Sequence, residues 1–225
     1  MLIIFSFTVT PRVSAQHLIS TESSEPVAAE GMTDRSDANQ KNAPYHYDLT
    51  ALVDGGSSSA DLDGTYGLDV DVVMEHTTGD LAGYITYRLY VTTPHTDDFL
   101  SAVFGDNSFP LNISTSTSFY QDSNGELLGS QINPGFFSFV PELEYDSWIT
   151  IGLDQSAADG EADPQLTPGF PSSEFENGGN LEINDILGGH WYMISPDPLV
   201  SSNAYPDEDQ RILVAQLTTD GTISG

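Results

Sequence analysis

The sequence predicts an all-β protein, a β-sandwich of mostly antiparallel strands with one or two short helices. Three observations carry that expectation. Apolar and polar residues alternate with a period of two in several short runs. Those runs are rich in β-branched and aromatic residues. Gly, Asp, Asn and Pro punctuate them at short intervals. Many short strands and little helix suit two packed sheets around one core. Eleven Phe, ten Tyr and two Trp in 225 residues supply enough apolar bulk for that core.

Taken in order, residues 1–15 read as a secretory signal peptide. An apolar run from Met1 to Val9 precedes the small-residue site Val13-Ser14-Ala15, although no Lys or Arg precedes the run. Residues 16–44 are polar, rich in Ser, Glu, Ala and Asn, and without periodicity, as a disordered leader would be. Residues 45–225 are assigned to an acidic β-sandwich domain. Gly67–Met74 alternates, with Leu68, Val70, Val72 and Met74 on one face and Asp69 and Asp71 on the other. Gly83–Val91 is the clearest strand, with Ile85, Tyr87, Leu89 and Val91 as its core face. Thr78-Gly79-Asp80 turns one strand into the other as a hairpin. Apolar residues at 99, 100, 103 and 104 predict a short helix over Asp97–Gly105, capped by the two aspartates and stopped by the glycine. Leu111–Tyr120 follows as a Thr/Ser-rich strand, and Asp122-Ser123-Asn124-Gly125 as a turn. Asn133–Val140 reads as an aromatic loop or short helix, Trp148–Leu153 as a strand, and 154–180 as irregular chain. His190–Ile194 and Arg211–Leu217 are the late strands. A turn signal at Asp220-Gly221 leads one to expect a further strand, so the domain is read as truncated at its C-terminus.

Charge is the most unusual property. The chain has 34 Asp and Glu against 5 Lys and Arg, a formal net charge of −29. From Asn42 onward the only positive side chains are Arg88 and Arg211. Such a field attracts cations and repels polyanions. It excludes nucleic-acid binding, which needs Lys and Arg at phosphates, and docking on anionic membranes. No apolar run reaches the ~20 residues of a membrane span, so no membrane insertion is expected. Cysteine is absent, which removes disulfides, thiolate metal sites and Cys nucleophiles.

Six phrases occur in a distinctive order: Tyr87–Val91, Phe99–Asp106, Ser118–Asp122, Tyr145–Gly152, Gly188–Tyr192 and Arg211–Gly221. In that order, over roughly residues 66–225, the chain resembles an uncharacterised module of large secreted or surface-anchored proteins of marine bacteria. The resemblance implies an extracellular, modular setting and brings no activity with it.

Candidate sites follow from the acidity. Ca²⁺ takes hard oxygen ligands from closely spaced carboxylates. Asp61 and Asp63 begin such a loop, but Tyr66 and Val72 stand where the EF-hand pattern needs Gly and Glu. Asp159, Glu161 and Asp163 form a second set, and Asp207 and Asp209 a third. For each, a solvated acidic turn is the plainer alternative. Trp148, Trp191 and Tyr192 are candidates for stacking on a sugar, against core packing for both tryptophans. Glu142 with Glu144, and Glu174 with Glu176, are the carboxylate pairs a glycoside hydrolase would draw on. No HExxH, nucleophile elbow or phosphate loop is present. Arg88 and Arg211, isolated among carboxylates, are assigned to structural ion pairs.

The sequence thus predicts a non-catalytic structural or adhesion module, secreted or at the cell surface and stabilised by Ca²⁺ or salt. Its expected partners are surface or matrix proteins, glycans or further copies of itself. A carbohydrate-binding module is the alternative, and a glycoside hydrolase ranks third.

Overall fold

The computed structural model describes residues 66–225, together with the backbone alone of two strands, β1 (Leu2–Ser6) and β2 (Tyr45–Asp48). The rest of residues 1–65, on which the expected signal peptide and leader fall, lies outside the described residues, as do Asp61 and Asp63. The chain is all-β and mainly antiparallel. Among the described residues the helical structure is one four-residue helix, α1 (Ser172–Phe175), and four short 3-10 segments.

β3 (Gly67–Glu75) and β4 (Ile85–Thr92) form the hairpin that the turn residues at 78–80 predict, with Leu68 opposite Val91 and Val70 opposite Leu89. Gly83 closes the turn at φ +97°, a conformation glycine adopts without a Cβ penalty. Tyr87, Leu89 and Val91 are buried as the alternation requires, with Ile85 partly buried against them. The far end of β3 departs from it. Val72 and Met74 are exposed, because β3 is the edge strand of its sheet and the register shifts between those two residues.

β11 (Arg211–Thr219) lies between β4 and β7 (Trp148–Ile149) in this sheet, whose order is β3-β4-β11-β7. Residues 212–219 are all buried, so β11 is covered on both faces. Ile212, Val214 and Leu217 join the main core, whereas Leu213 packs in a smaller cluster with Trp148, Ile132 and Leu143.

The segment expected to be a helix is β5 (Ala102–Gly105). Its apolar spacing fits either structure, as short apolar runs do. Tertiary pairing decides: β5 runs antiparallel to β10 (Gly189–Tyr192), with Val103 opposite Trp191, while the Leu100 N–H donates to the Ala204 carbonyl at 2.9 Å. β10 also pairs with β8 (Gln165–Leu166), and β1 runs parallel beside both β5 and β2. β6 (Leu111–Thr115), β9 (Leu181–Ile183) and β12 (Ile223–Ser224) make a third small sheet. β12 is the strand that follows the Asp220-Gly221 turn. The expected irregular stretch 154–180 holds only β8 and α1.

Two connections lie side by side at one end. The turn from β5 to β6 and the turn from β9 to β10 both cross between sheets, since β5 pairs with β10 and β6 with β9. The Asn107 N–H donates to the Asp185 carbonyl at 2.9 Å and joins the two turns.

Candidate functional site

The described structure has one concave, charged feature that gathers several of the predicted residues. Arg211 opens β11 and reaches across β4 to the outward face of β3. Its Nη1 donates to Asp69 at 3.0 Å and to Asp71 at 2.9 Å. These are the polar positions of the alternating run, so the period of two is what aims both carboxylates at one guanidinium. The Arg211 guanidinium lies 4.2 Å from the centre of the Tyr90 ring, a cation–π contact from the neighbouring strand. Burial disfavours the Arg211 charge, yet the hydrogen bonds to Asp69 and Asp71 and the attraction of Asp71 outweigh that and hold its pKa above the ordinary value. Its Nε is buried without a partner.

Beside this knot is an open hollow of about 240 Å³, lined by Tyr90, Glu161, Asn203, Tyr205, Asp207 and Arg211 among others. Pockets for drug-sized ligands span roughly 300–1,000 Å³, so this one suits an ion or a small polar group. Its carboxylates are partly engaged. Glu161 Oε2 accepts from the Ala158 N–H at 2.7 Å. Asp207 Oδ1 accepts from the N–H groups of Asp209 and Arg211, each at 2.9 Å. Asn203 supports the hollow by bonding the carbonyls of Ile151 and Ala162 and the Ala162 N–H.

Glu161 and Asp207 therefore meet at one hollow, although the sequence placed them in separate sets. Asp159 and Asp163 are exposed on their loop, and Asp209 stands 3.9 Å from Arg211 Nη2. Among the described residues, no three His, Asp or Glu side chains converge as a metal cage. What the hollow offers is a negative lining around a guanidinium already committed to Asp69 and Asp71.

Arg88 is the second expected ion pair. Its Nη2 meets Asp154 at 3.1 Å, and its Nε donates to Gln216 at 3.1 Å. Arg211→Ala should cost about 1–3 kcal/mol, because it leaves two facing aspartates unneutralised. Arg88→Ala should cost less, on the order of 1 kcal/mol, since its pair is more exposed. Urea unfolding of the two variants checks the order.

The tryptophans are a correction. Trp148 is 2% exposed and Trp191 1% exposed, so neither can stack on a sugar. Trp191 points to the inner face of β10, where its Nε1–H donates to the Thr150 carbonyl at 2.8 Å. Trp148 packs directly over Gly129, where a side chain would collide with the indole. Tyr192 is half-exposed on the opposite face of β10, in a row with His190 at 5.0 Å and Phe104 beyond it at 6.3 Å. The i, i+2 spacing of His190 and Tyr192 was the available signal for this row. Glu142 is half-buried and Glu144 exposed, while Glu174 and Glu176 point outward around buried Phe175. Asp146, which nothing in the sequence distinguishes, is the fully buried carboxylate among the described residues. Burial raises its pKa to about 7 against the lowering effect of backbone N–H donors.

Comparison with family models, with curated proteins and with solved structures finds no match to this chain.

Proposed function

We propose that this chain is a non-catalytic structural or adhesion module that works outside the cell, at a surface or in a matrix, and that Ca²⁺ or salt sets its stability. One observation carries the reading. Arg88 and Arg211 are the only Lys or Arg residues in 66–225, and carboxylates already occupy both. The remaining charge of residues 66–225 is negative, and dissolved cations are counterions available to it. The signal-like N-terminus and the resemblance to surface modules support the setting. Glu161 and Asp207, meeting at the hollow, are the carboxylates best placed to draw a Ca²⁺ ion, with waters filling its shell. The half-exposed Tyr192–His190–Phe104 row favours a neutral glycan as the second reading.

The test is thermal unfolding in CaCl₂ and in EDTA at one fixed ionic strength. A rise specific to Ca²⁺ is expected, because a ligand bound only by the folded state stabilises it. If NaCl at matched ionic strength gives the same rise, screening accounts for it and the Ca²⁺ site is rejected. If neither salt changes the melting temperature, the whole reading fails.

A further inference from the structure

We propose that the paired turns at 106–110 and 184–188 form a docking tip for a protein partner that presents an apolar pocket ringed by basic side chains. The turns carry three exposed apolar residues. Ile186 is 83% exposed, Leu187 91% and Phe109 38%. A single exposed apolar side chain is ordinary. Here three sit on two turns joined by the Asn107–Asp185 backbone bond, at positions where Gly, Asn, Asp and Ser normally dominate. At such exposure Ile186 and Leu187 add little to the core, and they present apolar surface to water.

The turns hold these side chains out rigidly. Asp106 Oδ1 accepts from the N–H groups of Ser108 and Phe109, both at 2.7 Å. Asp185 Oδ1 accepts from Leu187 at 2.7 Å and from Gly188 at 2.9 Å. The same aspartate geometry thus locks both turns, and part of the ordering cost of binding is met before a partner arrives.

Charge selects the occupant. Asp106 and Asp185 lie at the base of the tip, and both arginines of residues 66–225 are occupied elsewhere. A second copy would bring like charges together. Anionic lipid is repelled for the same reason. A small apolar anchor with an aspartate under each of its two turns matches an apolar pocket ringed by basic side chains. This inference does not depend on the Ca²⁺ reading.

The test uses a synthetic amphipathic peptide of Leu and Lys as the basic, apolar probe, with a Leu–Glu peptide and phosphatidylcholine vesicles as comparisons, at about 0.15 M ionic strength. The full chain should bind the Leu–Lys peptide at least about tenfold more tightly than the Leu–Glu peptide. The double substitution Ile186→Ser with Leu187→Ser should weaken that binding about tenfold without lowering the melting temperature. Asp106→Asn with Asp185→Asn keeps an oxygen acceptor in each turn and should weaken binding several-fold while reducing its salt dependence. No binding of the Leu–Lys peptide overturns the proposal, and so does binding that the serine variant leaves unchanged. Vesicle binding lost in the serine variant would assign the tip to lipid instead. Self-association lost in that variant, seen by sedimentation, would assign it to a second copy.

Discussion

Substituting Asp146→Asn should flatten the pH dependence of stability between about pH 4 and pH 7. Asp146 is fully buried, between the turn at 122–126 and β7. One carboxylate oxygen accepts from the Asp122 N–H at 2.8 Å, and the other has no hydrogen-bond partner. Gly125 packs so closely that a Cβ there would overlap the carboxylate. Burial is the largest influence and raises the pKa to about 7; the nearby Asp122 charge adds to the rise, while N–H groups of Asp122, Glu126 and Ser147 pull the other way. The folded pKa thus lies above the unfolded value, so the native state holds the extra proton between the two. Stability must then fall as pH rises through that window, by up to about 1.4 kcal/mol per pH unit, and level off above pH 7 as far as this group is concerned. His76 and His190 act in the opposite sense. Burial lowers both pKa values, so their contribution is lost as pH falls below the ordinary histidine range. The Asn variant retains these histidines and loses only the carboxyl. Urea midpoints from pH 4.5 to 8 in both proteins isolate the difference. Parallel curves would mean that Asp146 is ionised throughout and that its burial is offset by something else.

The second large effect is expected at Gly152. Its φ is +74°, and a Cβ there would run into the backbone carbonyl of Asn203. Asn203 cannot yield easily, because its side chain ties Ile151 to Ala162. Gly152→Ala should therefore cost roughly 3 kcal/mol or more, combining left-handed strain with displacement of a bonded loop. Gly83→Ala is the control. Gly83 has φ +97° but open space around its missing Cβ, so only backbone strain of about 1–2 kcal/mol is expected. Equal losses at the two sites would show that the contact with Asn203 is easily relieved. Gly152 and Asn203 both line the hollow beside Arg211, so the first substitution should also disturb that site.

Local pattern made part of this architecture legible. The β3–β4 hairpin was readable because alternation, β-branched content and a Gly turn agree there. β11 is readable as a continuous apolar run that ends near the Asp220-Gly221 turn signal, and Arg211 is recognisable as an ion-pair residue by scarcity alone. β5 was misread because an apolar spacing of four residues does not distinguish a helical turn from a strand that another strand will cover. The two tryptophans were candidates for exposure or burial, and only three-dimensional packing over Gly129 and beside Thr150 decides between them. Asp146 left no trace, since burial of a lone aspartate depends on segments far apart in sequence, Gly125 and β11 among them. The meeting of Glu161 with Asp207 is of the same kind. The paired turns at 106 and 185 were separately visible as turn chemistry, but their adjacency follows from sheet pairing across about eighty residues.

In the proposed function, dissolved cations hold in place a negative skin whose Arg88 and Arg211 are already paired with carboxylates. Thermal unfolding across an NaCl series at constant pH is the decisive measurement. The melting temperature should climb steadily with salt as repulsion among the surface carboxylates is screened. A melting temperature that stays level or drops over the same series would show that cation screening does not stabilise the fold.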